Sequence, residues 1–290
     1  MPPSFVTVFV IAWFSLLAPG NASVQSNENL WTRPVAPLRI VGNIHYVGSA
    51  DLSSFLITTP DGHILVETGA AAYADTLLAN IKTLGFKPED VRLILTTQAH
   101  FDHVGAHAAV QKATGAQVVV AEGDASVVED GGKGDFHFGP EYYFSPVKVN
   151  RVVRDGDVVR LGGVELRAHL TPGHTKGCTS WTMAVREADG VERHVLFAGS
   201  TSVNPGVQLV KNAKYPTIAA DYQRAFKVLR SLECDYCLTA HLSAMDGLAK
   251  LDALRKGASP NPFLNAGEFR ASVEQSERRF QAELARQKEK

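Results

Sequence analysis

A cluster of metal-capable side chains directly after a short apolar run restricts the fold of this chain more than any other feature. The run predicts a buried strand, and residues 98–103 then read Gln-Ala-His-Phe-Asp-His. Gln98 and His100 point the same way, because residues two apart on an extended segment share a face. Asp102 and His103 follow in the turn. Two imidazoles and a carboxylate this close would repel one another or lack partners unless they have a common function. The cluster therefore indicates a metal site.

Imidazole and carboxylate ligands together favour zinc, because calcium and magnesium prefer shells made of oxygen atoms alone. Two later histidines, His174 and His241, each stand at the end of a predicted strand. Taken singly, either of them fits an ordinary turn residue that donates to a carbonyl group. His107 lies on the same helix face as His103, but the helix should point it away from the strand ends. We interpret the remaining histidines as structural or surface residues: His45, His63, His107, His137, His169 and His194.

The rest of the chain predicts an α/β fold in which β-hairpins and helices alternate. Apolar residues at helical spacing predict helices over 74–84, 104–114 and 217–232, with short β-like runs between them. The tail from 265 to 290 has one apolar stripe and predicts a helix docked on the surface. Because no repeat or linker interrupts the pattern, we expect residues 23–290 to form one layered domain.

The first 22 residues contain no charged side chain and include an apolar run shorter than the roughly 20 residues of a membrane-spanning helix. Small residues at Gly20 and Ala22 suit signal-peptidase cleavage. We therefore expect residues 1–22 to be a signal peptide and the mature protein to be periplasmic or secreted, without a membrane anchor. An uncleaved N-terminal anchor is the alternative, because the expected Lys or Arg is missing from this region.

Charge and cysteine content restrict the partners of the chain. The formal net charge is -1 and no long basic block occurs, so nothing supports a nucleic-acid or membrane-surface partner. An exported protein can oxidise a cysteine pair, and Cys234 and Cys237 are the nearest candidates. The alternative, which we favour, is that these cysteines are small buried apolar residues.

Taken together, these motifs resemble the metallo-β-lactamase superfamily, whose hallmark is His-x-His-x-Asp-His followed by two single histidines in this order. The resemblance implies a four-layer αβ/βα sandwich. Residues 171–181 and 261–264 are similar to the corresponding segments of the subclass B3 enzymes. Ser200 also favours subclass B3, because glyoxalase-like, lactonase-like and nuclease-like relatives carry a metal-bridging aspartate at this position.

The resemblance implies a centre for one or two zinc ions per chain. Site one consists of Gln98, His100 and His174. Site two consists of Asp102, His103 and His241. Gln98 replaces the first histidine of the hallmark, as in a small subset of B3 enzymes. Since an amide oxygen binds zinc more weakly than an imidazole does, site one is expected to hold metal less tightly than site two.

Two further departures from the family concern residues near this centre. Glu67 stands where relatives usually have an aspartate beneath the metal site, and its extra methylene still allows a hydrogen bond to a ligand. Phe269 occupies the place of a cysteine that, in many relatives, pairs with one matching Cys234. The family's disulfide therefore cannot form, which leaves Cys234 free or strained against Cys237.

The implied activity is hydrolysis of a β-lactam amide by a zinc-activated water. Site one polarises the carbonyl group, site two stabilises the leaving nitrogen, and Asp102 orients or deprotonates the nucleophile. By resemblance, Ser200 and Ser202 bind the substrate carboxylate. Residues 131–146 line the cleft or, alternatively, form a plain surface insertion. We expect a monomer that acts on a small molecule; the alternatives are a lactone or thioester hydrolase and a non-catalytic zinc-binding protein.

Overall fold

Two β-sheets face each other in the computed structural model, which describes residues 30–289. The expected signal peptide, residues 1–22, lies outside the described residues. The first sheet has seven strands, β1 to β7, in chain order. They are Leu38–Val41, Ile44–Tyr46, Phe55–Thr59, Gly62–Val66, Val91–Leu95, Gln117–Ala121 and Arg151–Val153. Strands β1 to β4 pair antiparallel, and β4 to β7 pair parallel.

The second sheet has five strands in the order β12-β11-β10-β9-β8. Strands β8 to β12 are Val158–Leu161, Val164–Leu170, Thr179–Arg186, Glu192–Ala198 and Tyr236–Thr239. Neighbours pair antiparallel except β11 and β12, which are parallel. A parallel pair needs a long crossover connection, and a helix in the intervening chain provides it.

Seven α-helices of four or more residues surround the two sheets in the described part of the chain. Helices α1 to α7 are Ala74–Thr83, Phe101–Val104, His107–Thr114, Glu122–Asp130, Ile218–Ser231, Gly247–Arg255 and Ala266–Lys288. The helix predicted over 104–114 begins later, at His107, and the separate short helix α2 precedes it and ends before Gly105. A Cβ atom at Gly105 would lie 2.3 Å from the Phe101 carbonyl oxygen and 2.8 Å from the Ala71 nitrogen. The chain therefore packs too closely there for any residue with a side chain.

Apolar side chains form three separate cores, and these define four layers. The core between the sheets includes Phe55, Trp181 and Phe197. A second core, with Leu77 of α1, lies between the first sheet and its helices. A third core, with Phe226 of α5, lies between the second sheet and helices α5 and α7. This arrangement is the four-layer αβ/βα sandwich that the sequence predicted.

Helix α7 confirms the expectation of a docked C-terminal helix. Its apolar stripe, Phe269, Val273, Phe280 and Leu284, is buried in the third core. Cys178 and Cys234 are buried, Cys237 is half-buried, and all three are free thiols. The alternative of an oxidised pair is therefore absent from this structure. Among the described residues, no helix combines the length and apolarity needed to cross a bilayer.

Candidate metal centre

All eight predicted site residues lie where strands end, on one side of the sandwich. Residues 98–103 follow β5, and His174 follows β9. Ser200 and Ser202 follow β11, and His241 follows β12. Parallel strands place their carboxyl ends at the same edge, so loops distant in sequence meet there. The sequence predicted which residues follow strands, and the fold brings these loops together.

The three predicted residues of site two have the spacing of metal ligands. The Nε2 atoms of His103 and His241 are 3.2 Å apart. Asp102 Oδ2 lies 3.3 Å from His103 Nε2 and 3.5 Å from His241 Nε2. A tetrahedral zinc ion with bonds of about 2.0–2.1 Å needs ligand atoms roughly 3.3 Å apart. The three atoms therefore fit three corners of a zinc tetrahedron.

Two carboxylates lie behind the imidazoles of site two. Asp51 Oδ2 lies 3.0 Å from His241 Nδ1, and Glu67 Oε2 lies 3.1 Å from His103 Nδ1. At His241 the hydrogen bond to Asp51 favours the tautomer whose Nε2 lone pair faces the centre, whereas Glu67 lies within ion-pair distance of His103 without forming a hydrogen bond to it. Three carboxylates beside two imidazoles also give this cluster a negative charge that favours a bound cation. Sequence reasoning did not single out Asp51, because its turn contains no local pattern typical of a metal site.

The pKa shifts in site two reflect competition between burial and charge. Burial alone raises the pKa of Asp102, but the charges and hydrogen bonds of His103 and His241 outweigh it and hold the pKa well below the usual range. Burial lowers the pKa of His103, and Asp102 and Glu67 more than reverse this, raising it to about 10. The carboxylates therefore stabilise positive charge at this position, as a metal site requires.

The two histidines of site one also direct ring nitrogens towards each other. His100 Nδ1 and His174 Nε2 are 3.1 Å apart. Burial lowers the pKa of His100 well below its usual value and that of His174 to about 4, so both rings are neutral at neutral pH. His174 Nδ1 lies 2.7 Å from the Ser202 carbonyl oxygen and donates to it. Its Nε2 lone pair therefore faces His100 Nδ1, which suits a shared metal ion.

Gln98, the third predicted residue of site one, has a buried amide. Its Nε2 donates to Ser200 Oγ at 2.9 Å. Its Oε1 is buried and has no hydrogen-bond partner among the described residues. A buried carbonyl oxygen without a partner is unfavourable, and metal coordination satisfies it. The donors of both sites therefore fit zinc.

Ser200 and Ser202 both form hydrogen bonds to predicted metal ligands. The Ser200 hydroxyl accepts from Gln98. The Ser202 carbonyl oxygen accepts from His174 and from the Tyr222 hydroxyl, at 2.7 Å each. Beside them a cavity of about 580 Å³ extends from His241 and residues 199–206 to helix α7. The loop that carries both serines thus forms one wall of a space large enough for a small molecule.

Aromatic rings form a wall beside both predicted sites. The Phe101 ring packs edge to face against Trp31 and Phe138, at 5.9 Å and 5.5 Å between ring centroids, and lies tilted against Tyr142 at 4.7 Å. Phe138 also meets the His100 ring edge to face at 4.8 Å. The segment 131–146 thus borders the site through Phe138 and Tyr142. Of its other aromatic residues, Phe136 packs against Tyr215, Phe144 packs against the second core and Tyr143 is exposed.

Sequence reasoning missed two further acidic residues near site one. Asp135 Oδ2 lies 3.5 Å from His100 Nε2, on the far side of the ring from His174. Asp124 is buried beside the turns that carry His100 and His174, and burial raises its pKa to about 6 against the effect of three hydrogen bonds. Asp135 begins a turn and Asp124 lies in the first turn of helix α4, positions where acids are common, so the local sequence carried no signal.

His107 has a structural role, in agreement with its interpretation from sequence. Its ring is fully buried between Thr68 Oγ1 at 2.7 Å from Nδ1 and Thr96 Oγ1 at 2.8 Å from Nε2. Both ring nitrogens are thus occupied within the protein. The ring ties β5 and the turn after β4 to helix α3 and contributes no ligand to the centre.

Two solved β-lactamases are similar to this chain over nearly their whole length. The FEZ-1 metallo-β-lactamase of Legionella gormanii is 42% identical, with a TM-score of 0.86 over 89% of this chain and 98% of that chain. BJP-1, a subclass B3 metallo-β-lactamase of Bradyrhizobium japonicum, is 38% identical, with a TM-score of 0.84 over 90% and 98%.

A curated relative matches a shorter stretch. A hydroxyacylglutathione hydrolase of Rhodospirillum rubrum is 31% identical over 144 residues, which is 48% of this chain and 45% of that protein. The chain thus spans about half the length of the curated relatives it matches. The family model of the metallo-β-lactamase superfamily matches residues 51–241, from Asp51 to His241. Because this match covers most of the chain and the zinc-compatible clusters lie within it, the chain belongs to the metallo-β-lactamase superfamily.

Proposed function

We propose that this chain hydrolyses the amide bond of β-lactam antibiotics, namely penicillins, cephalosporins and carbapenems, at a centre of one or two zinc ions. The observation that carries the proposal is the pair of adjacent ligand clusters in a chain whose similarity to B3 β-lactamases extends over 98% of their length. Gln98, His100 and His174 would hold one ion, and Asp102, His103 and His241 the other. When bound, zinc supplies a Lewis acid and a water of lowered pKa.

The chain's own residues supply positioning and proton transfer. Asp102 Oδ2 borders both imidazoles of site two, where it accepts a proton from the attacking water or orients that water. Ser200 and Ser202 present hydroxyl groups along the loop at the cavity wall and bind the substrate carboxylate. The rings of Phe101, Phe138 and Tyr142 exclude water from one side and contact the apolar part of the substrate.

The test is turnover by the purified mature chain. We expect hydrolysis of nitrocefin, a penicillin and a carbapenem, loss of activity with a chelator, and recovery with zinc. Asp102→Asn keeps the size of the side chain but removes its charge, and it should lower kcat strongly. Asp61→Asn, at an exposed turn, is the matched control and should leave kcat unchanged. Zinc content below one per chain, with no turnover of any β-lactam, would rule out the proposal.

A thioester hydrolase is the second candidate, favoured by the similarity to hydroxyacylglutathione hydrolases. It would use the same metal ligands and differ in the residues that bind the substrate. A hydroxyacylglutathione thioester assayed beside nitrocefin separates the two functions. Turnover of the thioester alone would replace our proposal with this one, whereas we expect turnover of the β-lactam alone.

We further propose that the mature protein is a monomer exported to the periplasm or medium after cleavage near Ala22. Fractionation of cells that express the full chain should place it outside the cytoplasm, with an N-terminus near Ser23. An intact N-terminus in the membrane fraction would instead identify an anchor. Size-exclusion chromatography of the mature chain should give the mass of one copy.

A further inference from the structure

A single buried carboxylate joins the two turns that carry site one. Asp124 is the third residue of helix α4 and is 2% exposed. Its Oδ2 accepts from the Ala99 backbone nitrogen at 3.0 Å and from Thr175 Oγ1 at 2.7 Å. Its Oδ1 accepts from the Gly177 nitrogen at 2.7 Å. Three hydrogen bonds to one carboxylate are strong, because the acceptor is charged and shielded from water.

The donors are adjacent in sequence to the predicted ligands of site one. Ala99 lies between Gln98 and His100, and Thr175 directly follows His174. His100 and His174 are 74 positions apart, and no strand pairing joins their two turns directly. Oδ2 of Asp124 accepts from both turns at once. Together with the backbone hydrogen bond from the Thr179 nitrogen to the Thr97 carbonyl oxygen, this carboxylate therefore sets the distance between the two imidazoles.

The backbone around Asp124 leaves it little freedom to move. A Cβ atom on Gly123 would lie 2.5 Å from the Lys176 carbonyl oxygen, and one on Gly177 would lie 2.4 Å from the Asp124 nitrogen. The first turn of α4 and residues 176–177 therefore meet backbone to backbone. Such contact requires glycine on both sides and fixes where the carboxylate lies.

Site two is held by different groups. Asp51 and Glu67 contact the Nδ1 atoms of His241 and His103, and none of the three hydrogen bonds of Asp124 reaches a site-two residue. The two halves of the centre thus have separate supports. A change at Asp124 is expected to affect one half only.

We propose that Asp124 is the positioning residue of site one, holding His100 and His174 at ligand distance, an inference that rests on the proposed zinc-dependent function. An amide at this position keeps the size but replaces one acceptor oxygen by a donor. In Asp124→Asn, the amide NH2 group therefore faces at least one of the three donors and cannot accept a hydrogen bond from it. Partners of this kind typically contribute about 10- to 100-fold in metal affinity.

The test is a zinc titration of protein labelled with ¹⁵N in its histidines, in which each imidazole reports its own site. In Asp124→Asn we expect binding at His100 and His174 to weaken by about 10- to 100-fold, with His103 and His241 saturating as in the wild type. Glu122→Gln is the matched control, two residues away on the same helix and exposed. It removes an ion pair with Arg154 and should change neither site.

A milder pair of variants covers the case in which Asp124→Asn does not fold. Thr175→Val removes one donor to the carboxylate with little change in shape, and Thr175→Ser restores the hydroxyl. We expect site one to weaken in Thr175→Val and to recover in Thr175→Ser. Equal loss at both sites, or wild-type binding at both, would overturn the role of Asp124.

Amide hydrogen exchange in the presence of a chelator tests the hydrogen bonds of Asp124 independently of zinc. In Asp124→Asn the Ala99 and Gly177 amides should exchange faster, because they lose a charged acceptor, whereas Glu122→Gln should leave them protected. A wild type that binds no zinc would contradict the proposed function and with it the role at site one. Unchanged exchange at both amides would contradict this inference alone.

Discussion

Gln98 and Ser200, 102 positions apart in the chain, are joined by a 2.9 Å hydrogen bond from Gln98 Nε2 to Ser200 Oγ. This bond orients the amide so that Oε1 faces away from the serine, buried and without a hydrogen-bond partner among the described residues. The serine at the position where glyoxalase-like relatives carry a bridging aspartate thus supports the glutamine that replaces the first histidine of the motif. The two positions at which this chain differs from those relatives are therefore in direct contact.

Replacing Gln98 by histidine should tighten zinc binding at site one. An imidazole nitrogen is a stronger zinc ligand than an amide oxygen, and the position is fully buried. Competition with a chromophoric chelator measures the affinity, and activity at limiting zinc should rise with it. Gln98→Asn, whose amide is one methylene shorter, should weaken the site. If Gln98→His bound zinc no more tightly than the wild type, the side chain at this position would not be a ligand.

Asp51→Asn should weaken site two by about 10- to 100-fold. Asp51 Oδ2 accepts from His241 Nδ1 at 3.0 Å and Oδ1 accepts from the Ser243 nitrogen at 3.0 Å, so the carboxylate holds both the ring and its loop. Zinc titration of the histidine resonances gives the affinity of each site. Loss confined to His103 and His241 is the expected result, and unchanged affinity there would show that the loop alone orients His241.

Phe138→Ala should raise KM for substrates with aryl side chains by about 2- to 10-fold, the equivalent of roughly 0.5–1.5 kcal/mol for one edge-to-face contact. The ring lies beside the predicted site and touches no atom that changes charge during hydrolysis, so kcat should be unchanged. Tyr143→Ala is the matched control, because that ring is 42% exposed and stacks on no other aromatic ring in residues 30–289. A drop in kcat alone would argue against a binding role.

His107 should make the stability of the protein depend on pH. Burial lowers its pKa to about 3, compared with about 6.5 in the unfolded chain. Between these values the unfolded chain binds a proton that the folded protein does not. The free energy of unfolding is therefore independent of this group above pH 6.5 and falls by about 1.4 kcal/mol per unit as pH decreases towards 3.

Urea unfolding of the wild type and His107→Gln, both with chelator, measures this dependence. Glutamine retains polar atoms for Thr68 and Thr96 but does not titrate. We expect the stability of the wild type to fall more steeply between about pH 6.5 and pH 5, by about 2 kcal/mol over that interval. Parallel pH profiles for the two proteins would mean that His107 titrates alike in the folded and unfolded states.

The sequence by itself determined the elements and the central cluster. Apolar periodicity located helix α5 to within a residue, and the apolar stripe of α7 predicted its buried face. The motif at 98–103 predicted a metal site because its residues are neighbours on one turn. Such features are local, since periodicity and spacing along a few residues fix which side chains share a face.

Only the tertiary structure decided which distant groups support the ligands. Asp51 and His241 are 190 positions apart, and Asp124 and Thr175 are 51 apart, so no spacing rule connects them. The helix predicted over 104–114 begins only at His107, and just before it the Ala106 nitrogen donates to the Gly69 carbonyl oxygen, in a turn 37 positions earlier. Within residues 131–146, packing turned Phe138 towards His100 and Phe136 towards Tyr215. Burial and hydrogen bonding across layers set these contacts, and both depend on how the sheets assemble rather than on the order of residues in the chain.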